Sequence, residues 1–149
     1  MEAFGKLIPE EIQLADFGVI KGGINCPLDH DNSLVLKHDY KVDFNLAYNL
    51  ETNEVQTDFD FKVKTISSDK QVCEAKGKFK FAFLFNVNNL VDLVRHDDEK
   101  DELMVSPHLG NALASITYST SRGILMTRFQ GTALSDFILP IVNPNDLLK

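Results

Sequence analysis

The chain has 149 residues, with 15 Lys and Arg against 22 Asp and Glu for a formal charge of −7, and 44% of its residues are hydrophobic. This predicts one domain spanning residues 1–149 whose core needs no metal or disulfide staple. It also disfavours nucleic acid as a partner, since phosphate binding calls for clustered Lys and Arg. Eleven Phe and three Tyr stand beside no Trp at all.

The chain begins with Glu2, Lys6, Glu10 and Glu11 where a signal peptide would have an apolar core. No stretch approaches the roughly 20 apolar residues of a membrane span. The expectation is a cytoplasmic protein with no direct membrane insertion. Ile12 to Cys26 reads as a strand, with a bulge at Gly22 and Gly23 and an end at Pro27. From Leu34 to Tyr48 the even positions are mainly apolar (Leu34, Leu36, Tyr40, Val42, Phe44, Leu46) and the odd ones polar, the alternation of a half-buried strand. Alternation resumes from Val55 to Thr65. A third run carries Cys73, Ala75, Gly77, Phe79, Phe81, Phe83 and Phe85 on one face and Glu74, Lys76, Lys78 and Lys80 on the other.

Charge suggests a register for these hairpins. A turn centred on Asp69 sets Phe59 opposite Phe79 and pairs Lys64 with Glu74, Asp60 with Lys78 and Asp58 with Lys80. A turn centred between Thr52 and Asn53 sets Phe44 against Phe61 and Asp43 against Lys62. Cross-strand pairs each contribute about 0.2–1 kcal/mol, and a one-residue slip inverts every face. The predicted architecture is therefore α+β: a four-stranded antiparallel meander, then a long helix and an extended C-terminal segment.

A turn of helix is expected near Asn89 to Val94, and Arg95 to Glu102 reads as a solvated loop. Ser106, capping with its hydroxyl, and Pro107 then start a helix bearing Leu109, Leu113, Ile116 and Ile124. It runs as far as Gly131, about 36 Å, unless Gly123 bends it. Ala112, Ser115, Ser119 and Gly123 form a stripe of small residues on this helix, suited either to packing on the sheet or to a second helix in an oligomer.

No constellation points to catalysis. Asp29, His30 and Asp31, and likewise His96, Asp97 and Asp98, are contiguous and lack the convergent spacing of a metal site. Cys26 and Cys73 are too far apart for a redox pair and read as buried thiols. Ser115, Ser119 and Ser121 have no nucleophile elbow around them. No cofactor or metal is expected.

Val72-Cys73-Glu74, Ser121-Arg122-Gly123, and the run Leu139-Pro140-Ile141-Val142-Asn143-Pro144-Asn145-Asp146-Leu147 together resemble, in order and spacing, motifs of the SecB-type protein-export chaperones. The resemblance covers roughly Ile12 to Leu148. It implies a homo-oligomer, dimer or tetramer, that holds unfolded polypeptides or preproteins in apolar grooves without ATP and passes them to the SecA motor. It implies a groove lined by Phe79, Phe81, Phe83, Phe137, Ile138, Leu139, Ile141 and Val142. Cys73 would lie at a subunit contact with the helix stripe, and Glu74 would be a motor contact on an acidic sheet surface. Pro144 stands where the family has Phe, one extra residue separates Pro140 from Asn143, and the sequence stops at Lys149. These differences bring forward the toxin–antitoxin chaperones of the same family as an alternative to export. A non-catalytic adaptor subunit that binds one folded partner is the alternative from a different class.

Overall fold

The computed structural model describes residues 4–148. A short 3-10 helix, Pro9–Glu11, leads into β1 (Ile12–Asn25), and β2 (Val35–Asn49), β3 (Glu54–Ser67) and β4 (Lys76–Val87) follow. The four form one antiparallel sheet in the order β1-β4-β3-β2, so the meander of β2, β3 and β4 is closed by β1 pairing beside β4. A 3-10 turn, Leu90–Leu93, precedes β5 (Val94–Asp97) and β6 (Glu102–Val105). The expected loop from Arg95 to Glu102 is thus the turn and arms of a small hairpin, with Val94 facing Val105 and Arg95 facing Met104.

The helix α1 (Pro107–Arg128) starts where Pro107 predicts. The Ser106 hydroxyl makes no capping bond; its backbone N–H instead donates to the Leu93 carbonyl at 2.7 Å. The helix passes Gly123 unbroken and ends at Arg128 rather than Gly131, which takes a left-handed φ of 75° three residues on. An extended segment follows, closed by the single turn α2 (Pro144–Leu147).

The faces are those that alternation predicts, but both registers differ from the charge-based ones by two residues. Phe44 faces Phe59, Phe59 faces Phe81, and Asp43 faces Asp60. A two-residue shift keeps every side chain on its face, so the hydrophobic pattern cannot tell the alternatives apart. Local geometry decides. The first hairpin closes at Asn49 and Glu54, with Asn53 in the left-handed region at φ 56°, a conformation Asn tolerates better than most residues. In the second, Glu74 is drawn out of the strand to accept bonds from the Ser67 backbone N–H (2.8 Å) and from the hydroxyls of Ser67 (2.6 Å) and Thr65 (3.1 Å). Those bonds outweigh exposed ion pairs, which contribute about 0.2–1 kcal/mol each. Val72, Cys73 and Glu74 therefore belong to the loop before β4.

The core lies between the sheet and α1. Phe59, Phe61, Phe79, Phe81, Phe83 and Phe85 are buried, and α1 sits on β3. There the Thr57 and Thr117 hydroxyls meet at 2.7 Å in the interior, and the Tyr118 ring lies edge-on to Phe59 at 6.1 Å. Because the Asn53 conformation sets the first register, Asn53→Val should lower stability by about 1–2 kcal/mol while Asn53→Gly stays near wild type, as read by urea unfolding.

Candidate functional site

Surface that α1 leaves uncovered is the first element of the site. On β1 the side chains that share the helix face are Ile12 and Leu14, then Phe17 and Val19, then Gly22 and Ile24, because register shifts after Leu14 and after Val19 each advance the phase by one residue. The bulges therefore fall around Ala15 and Ile20 and not at Gly22 and Gly23. Gly22 has another use: a Cβ there would meet the Phe79 ring at 3.2 Å. Phe17 lies over Phe83 and Phe81, with centroids at 5.0 and 5.8 Å, yet it is 38% exposed, and Leu14 beside it is 50% exposed. This apolar edge escapes a simple reading of alternation, since the two bulges break its period; the 2-3-2-3 spacing of the apolar residues was the available signal.

The second element is the segment after α1. Phe137 wedges between the sheet and the helix end, with ring centroids 5.3 Å from both His38 and Tyr40 and 5.8 Å from Phe61. Leu139 is buried beside it, and the Tyr118 hydroxyl donates to the Pro140 carbonyl at 2.5 Å. This anchoring turns Ile138 and Ile141 outward, 51% and 84% exposed. Burial pushes the Tyr118 hydroxyl up to about 12, with Tyr40 adding to the effect, so it stays a donor.

The structure divides the expected groove residues. Phe79, Phe81 and Phe83 are buried in the core, packed against Phe129, Phe59 of β3 and Phe17 of β1, so they offer no open surface in a single chain. Phe137 and Leu139 are buried anchors, Val142 is half-buried, and Ile138 and Ile141 are exposed. Of the helix stripe, Ala112 and Ser115 are half-buried and Ser119 and Gly123 are exposed. Ser115 and Ser119 line a small hollow of about 70 Å³ with Ile141, Val142 and Leu147, so the chain's own tail already packs along part of the stripe.

Both cysteines are exposed and free, against the expectation of buried thiols. The Cys73 carbonyl accepts a bond from His30 Nδ1 at 2.7 Å, and its thiol lies 3.3 Å from Asp29 Oδ2, which raises the thiol above its ordinary value. Asp31 accepts from the Ser33 backbone and hydroxyl. The triplet thus ties the β1–β2 connection to the β3–β4 loop. Glu74 turns its carboxylate onto Ser67 and Thr65, and hydrogen bonds from Ser67 chiefly hold it below the usual carboxylate range. His96 is held by Asp98 and Asp101 on the exposed hairpin. Among the described residues no group of three His, Cys, Asp or Glu is placed to hold a metal ion, and no helix is long and apolar enough to cross a membrane.

No family model matches the chain, and no curated protein sequence matches it. A search of solved structures matches a SecB-like chaperone of Mycobacterium tuberculosis, solved in complex with a ChAD peptide from the HigA1 antitoxin. The TM-score is 0.62 at 13% sequence identity, over 89% of this chain and 91% of that one. The chain has a SecB-like fold: a four-stranded antiparallel sheet, one long helix and a C-terminal helical turn.

Burial holds His38 below the ordinary imidazole value, with Asp136 opposing, and no partner reaches its buried Nε2 among the described residues. A lowered folded-state value means that the unfolded chain takes up the proton first. This contribution is complete above the ordinary value and is lost as pH falls below it. His96, raised by Asp98 and Asp101, acts in the opposite sense. Wild type should therefore lose more thermal stability than His38→Gln between about pH 7.5 and about pH 5.5. Tyr118→Phe should cost about 0.5–1.5 kcal/mol in urea unfolding and raise exchange of the amides around Ile141.

Proposed function

We propose that a chain with this SecB-like fold is an ATP-independent chaperone that holds unfolded polypeptides along its uncovered apolar edge, without catalysis of its own. The observation that carries the reading is the strip of Leu14, Phe17 and Val19 beside the Phe81 and Phe83 floor, continued elsewhere on the chain by outward-facing Ile138 and Ile141. Contiguous apolar surface of this kind marks a binding site. It offers little directional polarity, which suits it to many sequences, and the charge of −7 keeps such a molecule soluble.

Binding of extended polypeptide is supported further by the fold likeness, since the Mycobacterium tuberculosis protein was solved with a peptide in place. That the peptide comes from an antitoxin favours, as the second reading, a chaperone dedicated to a toxin–antitoxin client over one serving general export. The proposal places the protein in the cytoplasm as a homo-oligomer, with the helix stripe around exposed Ser119 and Gly123 as the contact between copies. It assigns no role to SecA, because the Glu74 carboxylate is engaged by Ser67 and Thr65 at the end of β3.

Equimolar protein should suppress aggregation of a chemically unfolded client, read by light scattering. Phe17→Ser, and separately Ile138→Ser with Ile141→Ser, should each reduce the suppression several-fold, while circular dichroism shows the fold retained. Full aggregation in the presence of wild type, or undiminished suppression by these variants, overturns the reading. Capture of an antitoxin segment with no effect on unrelated unfolded clients selects the dedicated role.

A further inference from the structure

The sheet face turned away from α1 carries a concentration of positive charge that the composition conceals. Three successive rows cross the sheet in the order β1-β4-β3-β2. The first is Lys21, Lys80, Asp60, Asp43; the second is Gly23, Lys78, Lys62, Lys41; the third is Asn25, Lys76, Lys64, Asp39. Seven of the chain's 15 Lys and Arg are thus gathered on one face of an acidic protein. Lys41 reaches Asp43 at 3.6 Å and Lys80 reaches Asp60 at 4.0 Å. Among the described residues, Lys21, Lys62, Lys64, Lys76 and Lys78 have no carboxylate within ion-pair distance. Lys62, Lys64, Lys76 and Lys78, with Lys41 and Asp39 at the β2 side, line an open hollow of about 670 Å³, which the missing side chain of Gly23 helps to leave clear.

This arrangement works against folding. Like charges directly opposite across a ladder are destabilising, and Lys62 faces Lys78 on one side and Lys41 on the other. Lysines that guard a sheet against edge-to-edge aggregation belong on edge strands, yet Lys62, Lys64, Lys76 and Lys78 lie on the two central strands. A local rule broken with no structural compensation is the mark of a functional surface.

We infer that this face docks an acidic, extended polypeptide segment of a partner protein, its carboxylates on the Lys62, Lys64, Lys76 and Lys78 ammonium groups. Lysines two residues apart on a strand are about 7 Å apart, as are carboxylates on alternate residues of an extended peptide. The patch is small, about 14 Å along the strands, and ends abruptly where Asp43, Asp60 and Asp58 take over the face. A nucleic acid tracking further would lay phosphates over those carboxylates. The face also lacks the Arg forks and stacking aromatics that polynucleotide grooves use. The apolar edge plays no part here, so the inference stands apart from the chaperone reading.

The test uses the full chain and a dye-labelled peptide of about a dozen alternating Glu and Gly residues, followed by fluorescence anisotropy at low and high salt. Wild type should bind it, with affinity falling as salt rises. Lys62→Glu, and separately Lys76→Gln with Lys78→Gln, should weaken binding about tenfold or more. Because they relieve like-charge pairs, these variants should melt at or above the wild-type temperature and still suppress aggregation of an uncharged client. Absence of peptide binding at low salt, or binding that survives Lys62→Glu, overturns the inference. So does tighter binding of a single-stranded oligonucleotide of matched charge, or of vesicles rich in phosphatidylserine, which would give the surface to a different class of partner.

Discussion

One helix cannot cover four strands. A helix with its side chains is about 10–12 Å across, whereas the axes of the outer strands of a four-stranded sheet lie about 14 Å apart before their own side chains are counted. Here α1 settles over β3, where the Thr57–Thr117 hydroxyl pair and the Tyr118–Phe59 contact locate it. The β2 side is then filled by the segment after the helix, with Phe137 as its wedge. On β1 the ends, at Ile12 and Ile24, pack against the core, but Leu14, Phe17 and Val19 between them stay exposed. The apolar edge of Leu14, Phe17 and Val19 follows from that mismatch of widths, and the functional reading follows from the edge.

The two faces of the sheet differ sharply in chemistry. The helix face supplies aromatic and aliphatic surface with little directionality, and the opposite face supplies point charges with little apolar area. Both deviate from what stability alone favours, one by exposing Phe17 and its neighbours and the other by setting lysines against lysines. Buried aromatic packing offsets such costs. Stacked or tilted rings run through Phe59, Phe61, Phe81, Phe83 and Phe85, each rigid and deeply covered.

Strand identity and facing were legible in the sequence because period-2 alternation is strong from β2 to β4, and Pro107 gave the helix start. Register was not, since a two-residue slip preserves the pattern and the deciding contacts, the Asn53 turn and the Glu74 loop bonds, are local and polar. The hairpin of β5 and β6 was hidden inside a run of charges. On β1, two bulges broke the period that would have exposed its apolar edge. Of the expected groove residues, Phe79, Phe81 and Phe83 are consumed by the core, and only the structure separates them from the exposed Ile138 and Ile141. The lysine face was in view as alternating Lys on β4, yet its density depends on strand order, which pairing alone reveals.

The account rests on the β1 edge and the post-helix segment receiving an unfolded chain. Amide hydrogen exchange of the protein with and without a chemically unfolded client tests this most directly. Added protection confined to Ile12–Val19 and to the segment from Phe137 to Val142, with the outer-face lysine strands unchanged, is the predicted result. Protection absent from both segments while the client is held in solution would contradict it.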